Sequence, residues 1–162
     1  EFRRVLFRSY IKDNYGHDPH FWTNRIDDPS RRSWAGYTFE QLCLYHLEQI
    51  KRAIGISAVQ CAVSAWFHKP EEGVERKRGT QIDLLIERRD RVINVCEMKF
   101  SLNEFTIDKD YDAILRNKME TFREESKTKK ALQLTMITTY GVKRNMYSNR
   151  VQSEVLLDDL FV

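Results

Sequence analysis

The chain has 162 residues, 41% of them hydrophobic, enough for one core of ordinary size, so one domain is the default. Its 27 lysines and arginines against 24 aspartates and glutamates leave a net charge of +3, which excludes a polycationic nucleic-acid binder but leaves room for a local basic face. No apolar run is long enough to span a bilayer, so no membrane partner is expected. The three cysteines have no CxxC spacing, which argues against a zinc cage and fits the reduced thiols of a cytoplasmic protein.

The opening stretch EFRRVLFRS is basic and patternless, and no methionine starts it. Residues 1–8 are expected to be a cloning or sequencing scar, and the remainder a fragment of a longer protein. Residues 9–36 form an aromatic, turn-rich lead-in from an upstream linker, with little regular structure beyond a short helix. Residues 37–162 are expected to form the domain proper. From Thr38 the pattern turns helical, with Phe39, Leu42, Cys43, Leu47, Ile50 and Ile54 at three- and four-residue spacings, ending near Gly55. The β-branched run ISAVQCAVSAWF (56–67) predicts a strand, followed by the charged loop HKPEEGVERKRG (68–79).

Two more strands are predicted at about 80–87 and 91–100, joined by a charged turn. Residues 105–127 read as an amphipathic helix with Tyr111, Ile114, Leu115, Met119 and Phe122 inward. ALQLTMITTYG (131–141) has the near-continuous apolar character of a buried strand, and VQSEVLL (151–157) is a weaker strand candidate. The order helix, three strands, helix, strand predicts an α/β fold with a central mixed sheet flanked by helices.

Within GTQIDLLIERRDRVINVCEMKFS (79–101), Asp83, Glu97 and Lys99 stand in otherwise apolar alternating runs. Residues two apart on a strand share a face, so Glu97 and Lys99 project together. Asp83 joins them only if paired residue numbers sum to an even value. A three-residue loop Arg88-Arg89-Asp90, pairing 87 with 91, meets that condition. Two carboxylates and an ammonium on one face suit a divalent cation such as Mg²⁺ (or Mn²⁺), with the lysine stabilising phosphate charge or positioning a water. Three such letters alone suit a sheet salt bridge at least as well.

The arrangement, with Asp on the second strand and ExK on the third, resembles the PD-(D/E)xK restriction-endonuclease-like superfamily and its αβββαβ core. SWAGYTFEQLCLYHLEQIKRAIGISAVQ, GTQIDLLIERRDRVINVCEMKFS, TKKALQLTMITTYG and SEVLLDDLF resemble, more narrowly, the C-terminal domain of bacterial AAA-type P-loop ATPases. That resemblance implies a Mg²⁺-dependent nuclease-like domain with nucleic acid, DNA above all, as substrate and the upstream ATPase domain of the same chain as partner. It implies metal binding by Asp83 and Glu97, helped by the Met98 carbonyl and by Glu40, with Lys99 orienting the nucleophilic water. Ile82 stands where the superfamily's leading proline would be. Glu40 borders the inward helical stripe, and a glutamate in a first helical turn is equally favoured by the helix dipole. No GxxxxGK[ST] occurs, so ATP binding of the P-loop kind is not expected of this chain. The alternative is a catalytically silent DNA- or protein-binding module of the same ATPase. His17, His20, His46 and His68 form no metal-binding spacing, and Cys96 is expected to be a buried hydrophobe facing away from Glu97.

Overall fold

The computed structural model describes residues 29–69 and 79–162. The expected scar, residues 9–28 of the lead-in and the basic loop residues Glu75 to Arg78 lie outside that range. The described residues form a mixed α/β fold. Helix α1 (Pro29–Tyr45) and the short α2 (Leu47–Ala53) precede strands β1 (Cys61–His68), β2 (Thr80–Arg88) and β3 (Val92–Lys99). Helix α3 (Lys109–Ser126), β4 (Ala131–Thr138) and β5 (Ser153–Leu156) follow, with short 3-10 turns at Ser148–Arg150 and Leu157–Phe161. The sheet order is β1-β2-β3-β4-β5. The first three strands form an antiparallel meander, and β4 and β5 add in parallel. No helix of the described residues is long and apolar enough to cross a membrane.

Helix α1 begins nine residues before the predicted start and crosses residue 37 without a break. Its early turns carry no apolar stripe, so periodicity is silent there. Pro29 at the helix start fits the fixed φ of its ring. The hydroxyls of Ser33 and Thr38 bond back to the carbonyls of Pro29 and Trp34, at 3.1 and 2.9 Å. The single predicted helix is broken at His46, whose ring nitrogen Nδ1 lies 2.9 Å from the Leu42 carbonyl. Gly55, at φ +74, then turns the chain, and residues 56–60 form a turn instead of the first half of a strand. The positive φ suits glycine, which has no Cβ to clash.

Three apolar clusters hold the layers. The first joins Phe39, Cys43 and Ile50 of the first two helices to Leu84, Ile86, Cys96 and Met98 on one sheet face. The second joins Ile82, Leu85, Ile93 and Val95 to Phe122 of α3 on the other face. Trp66 packs edge-on against Phe122 at 5.2 Å between centroids. The third seats Leu115 against Leu134, Met136, Ile107 and Val142. Of the residues expected inward on α3, Ile114 is 47% exposed. The inward stripe instead runs through Tyr111, Leu115, Lys118 and Phe122.

A carboxylate enclosed by two lysines and a tyrosine

Glu97 owes its position to β3, which is buried along most of its length between β2 and β4. Alternation along that strand sends Asn94, Cys96 and Met98 towards α1, and Ile93, Val95, Glu97 and Lys99 towards α3. Glu97 is only 8% exposed. Tyr111 Oη donates to its Oε1 at 2.6 Å, and Lys118 Nζ donates to its Oε2 at 2.7 Å. Lys99 Nζ lies 3.3 Å from Oε1 and 5.6 Å from the centroid of the Tyr111 ring. Tyr111 and Lys118 both come from α3, seven residues apart and so on one helical face.

Burial alone would raise the Glu97 pKa. The ammoniums of Lys118 and Lys99 and the hydrogen bonds from Lys118 and Tyr111 outweigh it, holding the carboxyl below its ordinary range. Tyr111 is shifted the other way, upward, by burial and by the adjacent carboxylate. The cluster is thus one carboxylate against two ammoniums and a neutral phenol. Helix α3 is oriented for this role by an Asp108 N-cap that accepts from Tyr111 N at 2.8 Å. Asn117 ties the same helix to Thr80 of β2 at 3.3 Å.

Asp83 lies elsewhere. The β2–β3 ladder pairs 84 with 96 and 87 with 93, an even sum as expected, and the strands leave a three-residue turn, Arg89-Asp90-Arg91, one residue later than the predicted loop. Arg91 takes the left-handed φ of +68 within it. Continued for one more step, this register would set Asp83 opposite Glu97. Against β1, however, Ser64 pairs with Leu85 and Trp66 with Ile82, so β2 has one extra residue at 83–84. This bulge returns Ile82 to the α3 face beside Leu85. The Asp83 carboxylate accepts from the side chain of Gln81, an exposed neighbour that alternates onto the opposite face from Ile82.

Glu40 sits on α1, on the other side of the sheet from Glu97, beside Cys43, where its charge adds to the upward shift of that thiol. Met98 points its side chain into the first cluster, and its backbone lies in the ladder to β4. The structure therefore brings Glu97 and Lys99 together, as expected, turns Asp83 to Gln81, sets Glu40 beside Cys43, and runs the Met98 backbone, whose carbonyl is the expected ligand, in the ladder to β4. The helical pattern places Tyr111 among the inward packing residues and does not single out Lys118. The signal was there: a lysine inside an apolar helical stripe needs a buried anion opposite it.

Magnesium, which the resemblance implies, requires oxygen ligands with free lone pairs. Both Glu97 oxygens already bind cations or a phenol, and Asp83 is turned to Gln81. Among the described residues no three of His, Cys, Asp and Glu gather closely enough to hold a metal ion. The side chains as arranged do not fit the ion. Comparison with protein-family models, curated proteins and solved structures finds no match.

Proposed function

We propose that this chain is a restriction-endonuclease-like module of an AAA-type ATPase that holds the phosphodiester backbone of nucleic acid at Lys99 and Lys118. The observation behind this reading is the charge of the Glu97 cluster. One buried carboxylate faces two ammoniums, which leaves a fixed surplus of one positive charge at the end of β3. Lys99 is 36% exposed and reaches solvent from that cluster. A second cluster repeats the arithmetic: Asp112 of α3 accepts from Arg150 at 2.7 Å and forms an ion pair with Arg116 at 3.1 Å, and both guanidiniums are partly exposed. Arginines fixed by a carboxylate keep donors free for phosphate. The order helix, antiparallel meander, crossover helix, parallel strand supports the fold-family part of the proposal, together with the sequence segments that resemble the ATPase-linked domain.

The test is fluorescence anisotropy with labelled double-stranded DNA, single-stranded DNA and RNA at low and moderate salt. Binding should weaken steeply as salt rises, because phosphate contacts release counter-ions. Lys99→Met should weaken binding to all sequences alike. Absence of binding at low salt, or a Lys99→Met variant that binds like wild type, would remove this reading.

A second reading, Mg²⁺-dependent hydrolysis, rests on the sequence resemblance and not on the observed arrangement, in which the register stops at Leu84 and Asp83 is turned to Gln81. It predicts cleavage of linear, circular or single-stranded substrates in Mg²⁺ or Mn²⁺ that Asp83→Ala and Glu97→Ala both abolish. An inactive wild type under all these conditions leaves the binding module.

A further inference from the structure

We infer that Lys118 is a tethered counter-ion that keeps divalent cations off Glu97, so that removing its charge opens a cation site. The inference concerns the same cluster as the proposed function but does not depend on nucleic-acid binding. Oε1 of Glu97 already has two neighbours, the Tyr111 hydroxyl at 2.6 Å and Lys99 Nζ at 3.3 Å. Oε2 has Lys118 Nζ at 2.7 Å. Of the two oxygens, Oε2 has the single partner, so the Lys118 ammonium is the group a cation there would have to displace. A dication bound to Oε2 at about 2.1 Å would lie within about 5 Å of the ammonium, whatever the angle between them. Like charges that close, on groups largely withdrawn from water, repel strongly.

The ammonium is also hard to displace. Leu115 and Phe122, one turn on either side of Lys118, are almost fully buried and seat α3 on the sheet. The Lys118 side chain is itself only 19% exposed. Its charge is therefore held at Oε2 by a short covalent tether, with a high effective concentration against any free ion. Lys99 occupies the other oxygen, is more exposed, and approaches less closely. Lys118 is accordingly the residue that decides whether Glu97 accepts a cation.

The experiment is calorimetric titration with Mn²⁺ at matched ionic strength. Wild type should bind Mn²⁺ weakly or not at all at Glu97, and Lys118→Met should bind it tighter by on the order of tenfold or more. Lys118→Arg, which keeps the charge, should match wild type. Adding Glu97→Gln to Lys118→Met should abolish the gain. If Lys118→Met fails to fold, Lys118→Gln, which still donates to the carboxylate without a charge, undergoes the same titration. Equal Mn²⁺ affinity in wild type and the uncharged variants overturns the inference, as does micromolar binding by wild type that Glu97→Gln removes. Loss of nucleic-acid binding without these results would remove only the proposed function.

Discussion

The two faces of β3 solve opposite problems with neighbouring residues. On the α1 face, Cys96 and Met98 lie among Phe39, Cys43, Leu84 and Ile86. There, burial pushes the Cys43 thiol up to about 12 and shifts Cys96 upward as well, so both remain neutral hydrophobes. On the α3 face, Glu97 remains charged, because two lysines and a phenol replace the water it has lost. One face excludes charge and the other neutralises it. The stability of the first depends on volume, and that of the second on keeping its partners together.

The largest effect is expected on the apolar face. Ile86 is fully buried, and Ile86→Ala should cost about 4 kcal/mol, through lost burial and the cavity left behind. Urea unfolding would measure it, and oligonucleotide affinity of the folded fraction should not change. Next comes Glu97→Ala, which leaves two ammoniums without their acceptor. It should cost about 3 kcal/mol, the low end for a broken buried pair because Lys99 and Lys118 retain some access to water.

The Glu97 contribution should also depend on pH. Its folded pKa is depressed, so the stabilisation is fully present above the unfolded glutamate value of about 4.3 and is lost as pH falls through the lower folded value. Thermal melts across that acid range should therefore fall more steeply for wild type than for Glu97→Gln. Parallel curves would place the carboxylate's partners elsewhere. The smallest expected effect on stability is that of Lys99→Met, under about 1 kcal/mol for a pair whose lysine is partly in solvent. The same change should lower oligonucleotide binding, which separates the binding face from the merely structural one.

Sequence periodicity located most of this architecture. The apolar runs of β2, β3 and β4 and the stripe of α3 fall within a few residues of the predicted bounds, and Cys96 faces away from Glu97 as alternation requires. The even parity of the β2–β3 pairing agrees with expectation, but with both faces of these strands buried, alternation alone does not fix it. Asp83 was not legible, because its direction is set by a bulge against β1, a strand more than a dozen residues away in sequence. No local pattern in GTQIDLL encodes that extra residue. Lys118 was legible in principle: it stands in line with Tyr111, Leu115 and Phe122, where a lysine is out of place unless an acid waits across the interface.

The parallel pairing of β3 with β4 also bears on the order in which the molecule assembles. The β2–β3 hairpin closes over a short turn, whereas β4 reaches β3 only after the whole of α3 has been laid across the sheet. Contacts nearer in sequence lose less chain entropy and tend to form first. In a nascent hairpin Glu97 is then an ordinary hydrated carboxylate with Lys99 beside it. Its dehydration and the arrival of Lys118 and Tyr111 belong to one step, the docking of α3. Refolding kinetics would carry that signature, with Lys118 and Tyr111 variants altering a later phase than variants of the hairpin.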